Sequence, residues 1–216
     1  MRHKLQLKKN DYIGKLIVFE GTDGAGKTTM ISFAQKLLEK QYGSERVIVV
    51  KQPTDMARKT KLFQKMMHCA HHEDVDYRAV QLLTMSDRGQ HAFETIVPAL
   101  EQRKIVICDR YVFTSLANML ARGYRKEKWF YEVAKHIVRP DVTFLAYVDP
   151  DLAIERIKNR PEECNRYLDE PLLRNVAKEF FDMANREGFI VLDTSQSPTN
   201  AFISIELKLE QEGIIC

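Results

Sequence analysis

The densest chemistry in this chain lies in one short run, Gly21-Thr22-Asp23-Gly24-Ala25-Gly26-Lys27-Thr28, with Thr29 directly after it. The spacing G-x-x-x-x-G-K-T lets the backbone turn so that successive N–H groups face phosphate oxygens. It sends a lysine to the β- and γ-phosphates of a nucleotide and places a hydroxyl to ligate Mg²⁺. Residues 21–29 are therefore the expected ATP site, with Lys27 as its catalytic cation and Thr28 as a magnesium ligand. A second cluster is Asp109-Arg110-Tyr111, which closes an apolar run. An acid at the carboxyl end of a neighbouring parallel strand holds Mg²⁺ or its waters, and the arginine beside it meets a second phosphate with a bidentate fork. The plain alternative is an Asp–Arg pair on the surface. The third cluster follows Asp149-Pro150: Arg156, Arg160 and Arg166. Arg156 and Arg160 are spaced to share a helix face, Pro161 ends that helix, and a short loop, 161–165, follows. Arginines that close over transferring phosphates exclude water and offset developing charge. Without the phosphate loop, the same cluster would read as a solvated basic face.

Such residues need a rigid frame. Short β-branched runs at Lys15–Glu20, Arg46–Val50, Lys104–Cys108, Val142–Val148 and Phe189–Leu192 read as five strands. The glycine-rich loop leads into a helix predicted over Lys27–Gln41, and a long helical stretch is predicted over Val75–Gln102. Strands alternating with helices are βαβ units, which give a parallel sheet covered on both faces. The expected fold is α/β, a three-layer P-loop NTPase architecture with a five-stranded parallel sheet. No repeat or linker interrupts it, so residues 15–216 read as one kinase domain with a short lid near 156–168. Residues 1–14 read as a basic, solvated tail.

Composition narrows the class. The 216 residues are 44% hydrophobic and 29% charged, ordinary values for a chain with its own core. A net charge of +3 is too small to argue for a nucleic-acid polymer as partner. Cys69, Cys108, Cys164 and Cys216 form no C-x-x-C pair, which suits reduced thiols. No apolar run matches a membrane span or a signal peptide, so the expectation is a soluble, cytoplasmic protein with no membrane partner. His68, Cys69, His71 and His72 lie close together without a metal signature and read as a solvated helix end. Trp129, Phe130 and Tyr131 read as packing.

The ordered set FEGTDGAGKTT (19–29), QPT (52–54), LLTMSDRGQH (82–91), DRY (109–111), VDP…RIKNR (148–160) and LDTSQSP (192–198) resembles the thymidylate kinases, from about Lys15 to the C-terminus. The resemblance implies phosphorylation of dTMP or a related pyrimidine nucleotide by ATP with Mg²⁺, in a homodimer. It implies that Asp23 faces the acceptor's sugar hydroxyl, Arg110 holds the acceptor phosphate and Asp109 supports the metal. Arg88 would reach the acceptor's base and phosphate, with Tyr111 and Ser115 beside it. Arg156, Arg160 and Arg166 would form the lid, and Asp193 to Ser197, Ser195 among them, would lie near adenine. Family members divide by whether the residue after the loop acid is basic. Here it is Gly24, so the catalytic cation would come from the lid.

Three positions depart from the family pattern. Thr84 stands where an aromatic ring commonly stacks on thymine. Asn118 stands where a tyrosine commonly crowds out a ribose 2′-hydroxyl. Lys51-Gln52-Pro53 replaces the usual arginine and glutamate before the proline. These departures predict looser base and sugar selection, unless Tyr111 or Phe113 swings in to restore it. Two other readings stay open at this level: a deoxynucleoside kinase with Glu20 as base, and a nucleotide-dependent switch, which would want an N-K-x-D motif that is absent.

Overall fold

A computed structural model describes residues 5–69, 74–161 and 167–216. Five strands, β1 (Lys15–Glu20), β2 (Val47–Lys51), β3 (Ile105–Asp109), β4 (Val142–Tyr147) and β5 (Ile190–Asp193), form one sheet. All pairings are parallel, in the spatial order β2-β3-β1-β4-β5. The expected α/β, three-layer arrangement is the one observed, with strand ends within a residue or two of those predicted.

Side-chain alternation along β1 explains the layering. Leu16 and Val18 face one core with Val80, Leu116 and Phe180, whereas Ile17 and Phe19 face the other with Met30, Leu38 and Ile205. The first core is roofed by α4 (Tyr77–His91), α6 (Val112–Ala121) and α9 (Glu170–Glu187), the second by α1 (Lys27–Tyr42) and α10 (Thr199–Gln211). Shorter helices α2 (Asp55–Arg58), α3 (Lys61–His68), α5 (Val97–Glu101), α7 (Lys128–Ala134) and α8 (Pro150–Lys158) complete the connections.

Two expectations are corrected here. The long helix expected over 75–102 is interrupted by a π-helical stretch, Ala92–Ile96, between α4 and α5. Pro98 has no N–H for the i→i−4 ladder, and the wider turn before it absorbs that loss. The N-terminal segment is not a solvated tail over its described part. Leu5 is 2% exposed, Lys8 pairs in parallel with Val138, and its N–H donates to Ile137 O (2.9 Å). Asn10 Nδ2 donates to Asp141 Oδ2 (2.6 Å). The apolar Leu5 and Leu7 outweigh the basic residues around them because Leu5 joins the α6–α9 core and Leu7 packs against it.

Candidate active site

Residues 21–26 leave β1 and enter α1 at Gly26, whose φ of 78° begins the helix from a left-handed residue. Gly24 has φ +76°, and a Cβ there would lie 2.3 Å from Ala153 O. No side chain fits that position, so the loop itself has no room for a basic residue after Asp23. Lys27 folds back over the loop, its Nζ donating to Gly21 O (3.0 Å) and Thr22 O (2.7 Å). Burial, then the charge of Arg110, lowers its pKa to about 7. Thr28 and Thr29 open α1 with exposed side chains.

β3 lies beside β1, with Phe19 paired to Asp109, and this sets the second cluster against the first. Arg110 takes a left-handed backbone (φ 66°), unusual for a side chain of its size. Its N–H donates to Phe19 O (2.9 Å), its Nη1 to Gly21 O (2.8 Å), and its Nη2 to Asp23 Oδ1 (2.5 Å). Burial disfavours the guanidinium charge, but Asp23, Asp109 and Glu20 together outweigh it and raise the pKa. Asp109 lies 3.7 Å from Lys51 Nζ through Oδ2, while its Oδ1 is buried and accepts no hydrogen bond from the described residues. A buried carboxylate oxygen without a partner, on the strand beside a hydroxyl-bearing phosphate loop, suits Mg²⁺, which takes one or two protein oxygens and fills its shell with phosphates and water.

A cleft of about 430 Å³ opens beside this junction, within the range of small-ligand sites. Its phosphate-loop end is lined by Thr22, Asp23, Arg58, Arg110 and Thr114, and its far end by Tyr77, Gln81, Thr84, Ser115, Asn118 and Arg122. Two arginines beside the phosphate loop at one end, and a wall of Tyr77, Gln81, Thr84, Ser115 and Asn118 at the other, with Arg122 held against the Tyr77 ring and Asn118, suit a nucleotide lying with its phosphate toward the loop. A family model described as thymidylate kinase matches residues 19–205. The chain belongs to the thymidylate kinase family.

The thymidylate kinase of Aster yellows witches'-broom phytoplasma (strain AYWB) is 31% identical over 205 residues, covering 90% of this chain and 96% of that relative. That of Bifidobacterium longum (strain NCC 2705) is 34% identical over 209 residues, covering 92% and 98%. A crystal structure of thymidylate kinase from Ehrlichia chaffeensis shares the fold, with a TM-score of 0.64 at 23% identity over 91% of this chain and 98% of that one.

Among the acceptor residues that the thymidylate kinase resemblance implies, Asp23, Thr84, Arg88, Arg110, Ser115 and Asn118 line the cleft. Tyr111 does not. It has no exposed surface, and its hydroxyl donates to Val138 O (2.9 Å). The left-handed turn at Arg110 directs the next side chain into the core, where burial pushes the phenol pKa upward. Phe113 is also buried, edge-on to Phe189. Neither ring is free to take the place of the aromatic absent at Thr84, whose hydroxyl instead donates to Gln81 O (3.1 Å). Arg88 is 1% exposed, with Nη1 on Thr84 O (3.1 Å) and Nη2 on Tyr111 O (3.0 Å). Asn118 is engaged at both ends along its own helix: Nδ2 donates to Thr114 O (3.0 Å), and Oδ1 accepts from Arg122 (2.8 Å).

Arg156 and Arg160 do not share a face. Helix α8 ends at Lys158, so Arg160 lies beyond it and lines the cleft. Arg156 packs on the phosphate loop, donating to Gly24 O (3.4 Å) and Thr194 O (2.9 Å). Thr194 Oγ1 donates to Ala25 O (2.9 Å), which draws the segment bearing Ser195 alongside the loop. Arg166 lies outside the described residues, as do His71 and His72. Among the described residues, no group of three or more His, Cys, Asp or Glu could hold a metal ion, and no helix is long and apolar enough to cross a membrane.

Sequence reasoning missed Arg58 and Arg122. Arg58 projects from the one-turn α2 with Nε on Pro53 O (2.6 Å), and burial, then Arg110, lowers its pKa. Arg122 stacks its guanidinium 4.1 Å from the Tyr77 ring centre. Nothing local distinguishes either from the many other basic residues of the chain.

Proposed function

We propose that this chain transfers the γ-phosphoryl group of ATP to the phosphate of dTMP, giving ADP and dTDP, as a cytoplasmic homodimer. The observation that carries the reading is the Gly21 carbonyl, which accepts from both Lys27 and Arg110 and so joins the phosphate loop to the cationic end of the acceptor cleft.

Each residue then has a distinct task. The 21–26 backbone and Lys27 hold the ATP phosphates, and Arg156 and Ser195 border that site. Arg110 and Arg58 grip the acceptor phosphate, whose oxygen attacks the γ-phosphorus as the bond to ADP breaks. Arg160 offsets charge from the cleft rim. Arg88, Thr84, Ser115 and Asn118 contact the base and sugar, and Asp23 orients the sugar while restraining Arg110. Thr28 and Asp109 would hold Mg²⁺, which when bound neutralises β- and γ-phosphate charge. Catalysis in such a site is positioning and electrostatics. The homodimer reading is supported by two exposed apolar side chains, Leu82 (54% exposed) and Phe93 (75% exposed), about three helical turns apart on α4 and its extension.

Glu20 is fully buried and its carboxylate caps the start of α6, so it is not presented to an acceptor hydroxyl as base; the nucleoside-kinase reading is disfavoured. Coupled ADP production with dTMP, dUMP, UMP, dCMP and thymidine tests the proposal. Turnover with thymidine exceeding that with dTMP would overturn it.

A further inference from the structure

Glu20, the last residue of β1, spends its whole carboxylate on the start of α6. Oε1 accepts from Tyr111 N–H (2.9 Å) and Thr114 N–H (3.1 Å), and Oε2 accepts from Thr114 Oγ1 (2.5 Å). Tyr111, the N-cap residue of α6, makes no side-chain cap of its own. A carboxylate from another strand does that work, and its charge suits the positive end of the helix. The residues on either side hold the same segment: Phe19 O accepts the Arg110 N–H and Gly21 O accepts Arg110 Nη1. Thr114 Oγ1, with its hydrogen given to Glu20, turns a lone pair toward Arg110 Nη1 at 3.4 Å.

We infer that Glu20 is a positioning residue for the phosphoryl acceptor, fixing the Thr114 hydroxyl and the 110–114 backbone so that Arg110 stays aimed into the cleft. All three of its partners present hydrogens, so only a group that accepts throughout satisfies them. An amide cannot. With its oxygen toward the two N–H groups, its NH₂ faces the Thr114 hydroxyl as a second donor, so that hydroxyl loses its acceptor and must turn its hydrogen elsewhere. With the amide flipped, the NH₂ meets two N–H donors. The inference rests on Arg110 as ligand of the acceptor phosphate.

The test is steady-state kinetics of Glu20→Gln, Thr114→Val, Thr114→Ser and Arg110→Met, with melting curves. Glu20→Gln is expected to raise the dTMP KM roughly tenfold while the ATP KM stays within about twofold. Thr114→Val should reproduce that split without touching the buried carboxylate, and Thr114→Ser, which keeps the hydroxyl, should keep both KM values near those of the wild type. Should Glu20→Gln fail to fold, the two threonine variants decide the matter alone. A Glu20→Gln enzyme with a lowered Tm but unchanged KM values, or with both KM values raised alike, overturns the inference. So does a Thr114→Val enzyme with wild-type kinetics. Arg110→Met separates the two levels. If it spares the dTMP KM, the phosphate assignment fails and the inference falls with it. If it raises that KM while Glu20→Gln does not, only the role of Glu20 is lost.

Discussion

Lys27 and Arg110 donate to the same oxygen, the carbonyl of Gly21, at 3.0 and 2.8 Å. One side chain belongs to the phosphate loop and the other to the strand beside it, and without nucleotide their charges oppose each other. Arg110 is the second cause of the lowered Lys27 pKa, after burial. A phosphate between them offsets that opposition, as the carboxylates of Asp23 and Asp109 do in part.

Replacing Arg110 with Met should therefore separate the two nucleotides kinetically. The dTMP KM is expected to rise roughly 10- to 100-fold, with the ATP KM within about threefold, because a bidentate charge-assisted grip is lost on one substrate only. Initial rates with each substrate varied in turn provide the check. A larger effect on ATP would mean that the two phosphate sites are assigned the wrong way round.

Lys27→Met should lose on the order of 10²-fold or more in kcat, as for removal of a preorganised charge stabiliser. Its stability should respond to pH in the opposite sense to its activity. The folded-state pKa lies near 7, below the ordinary value of 10.5 that holds in the unfolded chain, so the contribution of Lys27 to stability is full above about 10.5 and lost as pH falls through 7. Glu20 runs the other way: raised from 4.5 to about 7, chiefly by burial, it contributes most below 4.5 and loses that as pH rises through 7. Comparing melting of wild type and Lys27→Met without nucleotide isolates the lysine. Between pH 7 and pH 9 the wild type should gain on the order of 1–2 kcal/mol relative to the variant. A constant difference across that range would contradict a buried, half-charged lysine.

The proposed acceptor site puts Asn118 at the sugar. Its amide is tied to Thr114 and Arg122 along α6, and the residue lines the cleft. Asn118→Tyr is expected to lower kcat/KM for UMP about tenfold relative to dTMP by crowding the 2′-hydroxyl. Equal losses for both nucleotides would place residue 118 away from the sugar.

The docked N-terminal segment should stabilise the fold without entering the chemistry. Leu5 is 2% exposed in the α6–α9 core, so Leu5→Ala should cost about 2 kcal/mol and lower Tm by roughly 4–8 °C, with KM values unchanged. Differential scanning calorimetry beside steady-state kinetics measures both. An unaltered Tm would return this segment to the solvated tail that its charge suggests.

Much of this enzyme is written locally. Residues 21–28 announce a phosphate loop because turn, cation and hydroxyl must stand at fixed spacing, whatever surrounds them. The five strands show as short β-branched runs, and β3 ends on Asp109, where an apolar run meets an acid. Local pattern cannot say what a turn does to the next side chain. The left-handed backbone at Arg110 is stabilised by carbonyls from β1 and the loop after it, distant in sequence, and it sends Tyr111 into the core rather than the cleft. Arg58 and Arg122 look like any surface cation until α2 and α6 bring them to the same cleft. Arg156 and Arg160 share a helical spacing, yet α8 ends between them and they part. The N-terminal segment reads as charged until Leu5 finds a core that only the packed α6 and α9 create. Spacing along the chain determines which groups exist and which loop they form. Their direction depends on contacts between residues far apart in sequence, and those exist only once the sheet and its two helical layers have closed.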